Sequence, residues 1–367
     1  MFITGFTHDR GACTRLRIYQ PLKRIAELGL AETHTLELSD ADPDSVVRKS
    51  DIAVMGRAAG GRAMEFVTKL QMDGKKVVFD LDDNYQDVTP MSPHYKQLGI
   101  MPVNLETEDG RSVNMWEDGK DGFELKKNRQ IRRDFAEITR AAACITVTTE
   151  PLKKVYQRFN DYVHVVPNAI DFRIWNYMPL KHTGDSVRIL YTGAANHQED
   201  FLYIRDPLKE IHEKYKNTII VFVGTDWRHL RSNLDYDRVE VHPWVDFSAY
   251  PYLLKSLACH IGLAPITESD FNNCRSALKW MEYSALKIPT VASDFGPYKR
   301  KMKDGETGLL VTEQDEWFKA MSLLIENKDM RNNLGGNAYR EVKARFNLDF
   351  VVDKWMSVYN TIITKEK

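Results

Sequence analysis

Cysteine is scarce in this chain. The four present, Cys13, Cys144, Cys259 and Cys274, are widely scattered, with no CxxC pair and no Cys/His cluster at zinc spacing, so a reducing compartment is the simplest inference. Charge of one sign is also missing: 51 Lys plus Arg stand against 52 Asp plus Glu, a formal net charge of -1. No global field draws the chain to nucleic acid or to an anionic membrane, although a local basic patch stays open. Long apolar runs are missing too. The start, MFITGFTHDR, has no apolar core behind a basic region, and nowhere do the about 18 apolar residues of a spanning helix run together. The expectation is a cytoplasmic protein without signal peptide or membrane span. What is present is the composition of a soluble globular protein, 43% hydrophobic and 28% charged over 367 residues, long enough for two domains with a core each.

Strand-like and helix-like segments alternate along the first half, which argues for a parallel sheet wrapped by helices. Strands are predicted at Met1 to Phe6, Thr33 to Leu38, Asp51 to Gly56, Lys76 to Leu81, Ala143 to Thr149 and His164 to Pro167, with helices over Leu16 to Leu28, Ala63 to Met72 and Glu124 to Ala142. The stretch from Asn168 to Asp185, rich in Asn, Pro, Gly and polar residues, reads as a boundary. Beyond it the alternation restarts with VRILYTG (Val187 to Gly193), TIIVFVG (Thr218 to Gly224), VEVHPW (Val239 to Trp244), CHIGLAP (Cys259 to Pro265) and PTVAS (Pro289 to Ser293). Two of these strands end in Gly, which lets the backbone turn sharply and approach a ligand closely. The fold class is α/β, with two Rossmann-like domains facing each other across a cleft, residues 1–170 and 171–347. The tail, Leu348 to Ile363, reads as an amphipathic helix through Phe350, Val351, Trp355, Val358 and Ile362, and residues 348–367 are expected to cross back to the first domain. One segment breaks the rhythm. Residues 84–122 show neither periodicity nor a strong apolar run and are predicted as a long functional or mobile loop, followed by the basic run Lys126 to Arg133.

The segment DFNNCRSALKWMEYSALKIPTVAS, Asp270 to Ser293, carries the densest chemistry. Asp270 to Asn273 supply turn residues, and Cys274 to Leu286 has helical spacing with Ala277, Leu278, Met281 and Ala285 on one side. A helix that follows a parallel strand starts at the carboxyl edge of the sheet, with its amides and positive dipole end facing that edge. Arg275 and Ser276 are expected in its first turn, and Lys279 and Glu282, spaced i,i+3, share a face. Cations there neutralise a pyrophosphate, and a carboxylate accepts both hydroxyls of a ribose. An isolated Lys-x-x-Glu reads more simply as a surface salt bridge; its place after a buried strand favours a nucleotide-sugar cradle.

In order along nearly the whole chain, these pieces resemble GT-B glycosyltransferases of the group 1 (glycogen synthase-like, retaining) superfamily. VVPNAID, Val165 to Asp171, looks like that superfamily's interdomain marker, and ILYTGAANHQEDF, Ile189 to Phe201, like its glycine loop. FNNCRSALKWMEYSALKIPTVAS with DGETGLLV, Asp304 to Val311, looks like its donor-binding core. The resemblance implies donor contacts from Gly193, Asn196, His197, Asp270, Ser276, Ala277 and Glu282. Glu282 falls on the second acidic position of the Glu-x7-Glu signature, which holds the donor's ribose. The first acidic position falls on Cys274, a departure that leaves the identity of the sugar open, with Glu268 or Asp270 as replacements. The usual Arg and Lys pair is not found around Gly193, so Arg275 and Lys279 are the natural catalytic cations, as in a viral and bacterial subset. GACTRLRIYQPL, Gly11 to Leu22, and DLDDNY, Asp80 to Tyr85, resemble that subset too. They imply that Gly11 closes over the donor phosphates and that Asp82 and Asp83 orient an acceptor hydroxyl. Arg15, Arg17 and Arg57 are the candidates for acceptor or phosphate contact.

The implied reaction is transfer of a glycosyl group from a UDP- or GDP-type nucleoside diphosphate sugar to a hydroxyl, with retention, no cofactor beyond the donor and no obligatory metal. The expected acceptor is a glycan or glycan precursor. The alternative is double-stranded DNA with 5-hydroxymethyl pyrimidines, modified by a virus-encoded enzyme in an infected host cell, with Arg15, Arg17 and the Lys126 to Arg133 run tracking phosphates. A GT-B-fold nucleotide-sugar epimerase and a non-catalytic nucleotide-sugar binding module are further alternatives. DLDD also admits a DxD metal site of the GT-A type, in which two carboxylates hold a divalent ion, although two-domain alternation is the wrong architecture for it.

Overall fold

The computed structural model describes residues 1–7, 11–37, 48–57, 61–92, 94–106, 110–175, 184–194, 197–227 and 236–364, with the side chains of 61 and 62 left aside. The chain divides into two compact units, Met1–Asn168 with Asp349–Lys367, and Ala169–Leu348.

In the first unit β1 (Phe2–Thr7), β2 (Glu32–Glu37), β3 (Ile52–Met55), β4 (Lys76–Leu81), β7 (Cys144–Val147) and β8 (Val163–Val165) form one sheet in the order β2-β1-β3-β4-β7-β8. Every pairing is parallel. IAVM, KVVFD and CITV are apolar almost without interruption because helices cover both faces of such a sheet; β3 and β7 are buried throughout. The chain steps from β1 to one side and then returns to the other, so the order reverses between β1 and β3, where doubly wound sheets leave a crevice at their carboxyl ends. The helix Leu348–Thr364 belongs to this unit from Asp349 onward, and Arg24 Nε donates to Asp349 Oδ1 at 2.7 Å. Its buried stripe is Val351, Val352, Trp355, Val358, Tyr359 and Ile362, whereas Phe350, expected on that face, is 56% exposed. One residue of phase at 100° per residue takes Phe350 off the stripe.

Residues 84–122 are not the long loop expected. They hold a short helix, Tyr95–Leu98, and an antiparallel hairpin of β5 (Val103–Glu106) and β6 (Ser112–Trp116). Tyr95 stacks on Phe123 with centroids 6.0 Å apart, Trp116 packs against both rings, and Trp116 Nε1 donates to Pro90 O at 2.8 Å. These aromatics lie far apart in sequence, so no local period announces them.

In the second unit β9 (Val187–Gly193), β10 (Thr218–Gly224), β11 (Val239–His242), β12 (Ile261–Ala264), β13 (Thr290–Ser293) and β14 (Leu309–Val311) are ordered β11-β10-β9-β12-β13-β14, again all parallel. This is the 3-2-1-4-5-6 order of a dinucleotide-type fold, with its reversal between β9 and β12. Separate hydrophobic clusters lie on this sheet, one including Leu190, Val221 and Trp280, the other Ile189, Phe222 and Trp317. Among the described residues no helix is long and apolar enough to cross a membrane.

Candidate functional site

The reversal between β9 and β12 is where the second unit gathers its charged side chains. Gly262 makes this possible: a Cβ there would lie 2.4 Å from the Tyr283 ring, so only a glycine lets that ring lie against β12. Tyr283 Oη then reaches Leu263 O at 3.3 Å and Thr192 Oγ1 at 3.0 Å, pinning the helix Leu278–Ala285 across the two central strands. At the end of β10, Gly224 has φ +104, and a Cβ there would meet Gly193 O at 2.6 Å. The edge beside Gly193 is therefore closely packed, by the Gly193 carbonyl and by the Trp244 ring, which the same Cβ would meet at 2.7 Å.

The single helix expected over Cys274 to Leu286 is two helices, Asp270–Cys274 and Leu278–Ala285. Ser269 Oγ accepts from Asn272 N and starts a helix in the residues taken for a turn, while Arg275, at φ -64 and ψ 163, is extended and ends it. Arg300 closes that end through Asn273 Oδ1 at 2.6 Å. Arg275 and Ser276 therefore precede the second helix instead of lying in its first turn; Lys279 does lie there.

Four side chains meet at this edge. His197 Nδ1 is 2.7 Å from Asp200 Oδ2, Lys279 Nζ is 3.3 Å from His197 Nε2, and Arg275 Nη1 is 3.4 Å from His197 Nδ1 and 3.9 Å from Asp200 Oδ2. Burial, reinforced by Lys279 and Arg275, pushes His197 down to about 3, so the ring is neutral. Burial would raise Asp200, but the His197 hydrogen bond and the neighbouring cations win and hold it below its ordinary value. Burial and Arg275 bring Lys279 down to about 8. One turn on, Glu282 is buried beside Tyr250, whose Oη lies 3.4 Å from Glu282 Oε2, and burial pushes its carboxyl up to about 8 although Lys279 pulls the other way.

Gly193, His197, Arg275, Lys279 and Glu282 thus come together. Ser276 is half-buried and Ala277 buried, whereas Asp270 is exposed on the first turn of the short helix, beside exposed Glu268. Cys274 is buried. Asn196 lies outside the described residues. Asp200 was not among the expected residues; the one local sign of it is a His-x-x-Asp at the start of a helix, and its role comes from contacts across the sheet reversal.

In the first unit, Asp82 and Asp83 follow β4 directly and are half-buried. Tyr85 Oη donates to Asp82 Oδ1 at 2.7 Å, and the Arg57 guanidinium lies 5.3 Å over the Tyr85 ring, with Nη1 2.7 Å from His94 Nδ1. Arg57, Asp82 and Asp83 therefore share the carboxyl edge, together with His94 and Tyr85, which were not expected. Gly11 is exposed at the head of a helical stretch running through Ala12–Thr14, a π-helical turn Arg15–Tyr19 and Gln20–Glu27, and Arg15 stacks 5.8 Å over Tyr19.

Arg17 corrects the expectation placed on it. The wide π turn buries three successive side chains, Leu16, Arg17 and Ile18, and leaves Arg17 3% exposed. Its Nε and Nη2 donate to Asp80 Oδ2 and Oδ1 at 2.9 and 2.7 Å, its Nη1 donates to Val166 O at 2.6 Å, and its guanidinium lies 4.8 Å over the Trp355 ring. It is a structural clamp, not a phosphate contact. Asp80 also accepts from Thr146 Oγ1 at 2.6 Å, so the first carboxylate of DLDD is committed and the DxD reading loses a ligand. Among the described residues no group of three His, Cys, Asp or Glu side chains is placed to hold a metal ion.

Residues 186–327 match the family model described as Glycosyl transferases group 1. The chain carries a group 1 glycosyltransferase domain. This domain contains the whole His197–Asp200–Arg275–Lys279 cluster and Glu282. Trehalose synthases of Thermococcus litoralis and Pyrococcus furiosus are 24% identical over 187 residues, which is 50% of this chain and 39% of theirs, so the match spans about two fifths of those relatives. Outside the group 1 domain the likeness is one of fold. Sucrose-phosphate synthase from Thermosynechococcus elongatus superposes with a TM-score of 0.63 over 99% of both chains at 14% identity. Anabaena HepE, solved with UDP-glucose, gives 0.63 over 99% of this chain and 100% of its own at 12% identity. The two parallel-sheet units are those of the GT-B glycosyltransferase fold.

Proposed function

We propose that this chain is a glycosyltransferase that moves a sugar from a nucleoside diphosphate sugar to a hydroxyl of a glycan-type acceptor, with retention of anomeric configuration. The observation that carries the reading is the pair Arg275 and Lys279 on either side of neutral His197 at the β9–β12 reversal, with Glu282 one turn further. As the bond from the anomeric carbon to the diphosphate breaks, negative charge grows on the leaving group. Fixed cations in a partly dry site stabilise it without reorganising. Glu282 takes the ribose hydroxyls, and the backbone at Gly193, Ser276 and Ala277 approaches the phosphates and the sugar. In the first unit, Asp82 and Asp83 orient the acceptor hydroxyl, with Gly11, Arg15 and Arg57 as further contacts of that edge.

A UDP-type donor is supported by the UDP and UDP-glucose held in the HepE structures, and a saccharide acceptor by the trehalose and sucrose phosphate in the relatives' names. Duplex DNA is disfavoured by the basic track it required. Arg17 is buried, and Arg132 donates to Gln86 O at 2.6 Å, which leaves Lys126, Lys127, Arg129 and Arg133 exposed on one helix.

The test is incubation with a panel of UDP- and GDP-sugars, with and without saccharide acceptors, following released nucleoside diphosphate and the anomeric proton coupling of the product. Acceptor-dependent release with retained configuration is expected, unaffected by hydroxymethylated duplex DNA. Interconversion of donor sugars without acceptor, or binding with no release from any donor, would overturn the reading.

A further inference from the structure

Asp200 joins the two halves of the charged cluster. It stands on the first turn of the helix Gln198–Lys214 and is 2% exposed. Its Oδ2 faces His197 Nδ1 at 2.7 Å, and its Oδ1 accepts from the Thr267 backbone N–H at 2.9 Å and the Thr267 hydroxyl at 3.3 Å. Thr267 in turn accepts Asn272 Nδ2 on its O and Oγ1 at 2.9 and 3.1 Å, inside the short helix that ends at Arg275. One carboxylate thus ties the loop leaving β9 to the loop leaving β12.

We propose that Asp200 is the positioning residue of the diphosphate site: it holds His197 as the Nδ1–H tautomer, a neutral ring between Arg275 and Lys279, so that both cations face one incoming diphosphate. The inference rests on the proposed reading of the site. A carboxylate at 2.7 Å accepts from Nδ1–H, which leaves the Nε2 lone pair to accept from Lys279 at 3.3 Å, while Arg275 Nη1, 3.4 Å from Nδ1, is drawn by the Asp200 carboxylate and not by the ring. A protonated ring would place a third cation between two others, whereas the neutral one spaces them. Around them stand Asp200 and Glu199 from the helix Gln198–Lys214, Glu282 from the helix Leu278–Ala285, and the phenols Tyr191, Tyr283 and Tyr298, which burial keeps protonated. Asp200 therefore supplies the negative charge that raises Lys279 against burial and Arg275 at neutral pH, where Glu282 holds its proton.

Asp200→Asn tests this. It removes one upward push on Lys279, and an amide that turns its NH2 toward Nδ1 selects the opposite tautomer, aiming an N–H at the ammonium. The alkaline limb of kcat/KM, and of UDP or GDP binding by calorimetry, is expected to move to lower pH by about one unit, with a loss in kcat of about tenfold at pH 8. Asp200→Glu, which keeps the charge, brings the limb back. Thr267→Val, which loses the hydroxyl's contacts to Asp200 and Asn272 but keeps the backbone N–H bond to Asp200, lowers Tm and leaves the limb in place. A limb in Asp200→Asn that coincides with wild type, or one that Thr267→Val moves equally, overturns the positioning role. Histidine-labelled wild type supplies a readout independent of the variants' folding: 15N shifts at pH 7 are expected to show His197 as Nδ1–H, and an Nε2–H or doubly protonated ring overturns the proposal. Wild type that binds neither UDP nor GDP would instead remove the reading of the site, and this inference with it.

Discussion

Arg17 in the first unit meets Asp80 in a bidentate pair at 2.9 and 2.7 Å and spends another donor on Val166 O, whereas Arg275 in the second stands 3.9 Å from an Asp200 already bonded to His197 and Thr267. Both arginines sit toward the carboxyl side of a parallel sheet, yet their surroundings balance differently. Around Arg17 one cation has one carboxylate to itself. Among the described residues, Arg275 and Lys279 share Asp200, and the next carboxyl, Glu282, is raised to about 8 and so keeps its proton at neutral pH. A satisfied buried pair is a structural joint; an excess of positive charge around a neutral spacer is a place for an anion.

The contrast breaks most visibly at Arg17. Arg17→Ala leaves Asp80 buried without its counter-charge and is expected to cost about 3–5 kcal/mol of stability, read by urea denaturation. Arg275→Ala is expected to do the reverse, leaving the denaturation midpoint near wild type. The next effect belongs to Lys279→Ala, for which turnover is expected to fall by about 10²–10³-fold while nucleoside diphosphate affinity falls by about tenfold or less, because the cation acts on charge that grows during bond breaking. Turnover near wild type would remove Lys279 from the diphosphate.

The comparison sharpens further through pH. Glu282 ionises near 8 in the fold and near about 4.3 when unfolded, so its contribution to stability is present below the unfolded value and is lost as pH rises through 8. Glu282→Gln has no proton to lose. The variant is expected to match wild type near pH 4 and to exceed it by several kcal/mol, at most about 5, at pH 8.5, while donor binding weakens. A difference that does not grow with pH would show that burial does not control this carboxyl. The mildest change is Asp82→Asn, expected to lower turnover by about tenfold with nucleoside diphosphate affinity unaltered, as a group orienting only the acceptor should.

Much of the strand framework that carries this contrast was legible in the sequence. Runs such as VRILYTG and TIIVFVG mark β9 and β10 to the residue, because strands buried on both faces leave little room for polar interruption. The hairpin around Trp116 was not legible, since Tyr95, Trp116 and Phe123 meet only in three dimensions. Arg17 read as a candidate acceptor or phosphate contact because nothing in the local sequence announces the π turn, which turns three neighbours inward together. The helix over Cys274 to Leu286 read as continuous because Ala277, Leu278, Met281 and Ala285 keep their period, while the break at Arg275 is set by the Ser269 cap upstream. Lys279 and Glu282 were singled out from their spacing together with the resemblance of the surrounding segment. Asp200 was not, because its importance lies in what it touches across the sheet reversal.

The most direct test of the central claim, that the second unit's edge is a diphosphate site built on Arg275 and Lys279, is calorimetric comparison of UDP and GDP with uridine and guanosine, on wild type and on an Arg275→Ala, Lys279→Ala double variant. Wild type is expected to prefer the matching diphosphate over its nucleoside by about 10²-fold or more, and the double variant to lose that preference while keeping most of its nucleoside affinity. A preference that survives in the double variant would contradict the account.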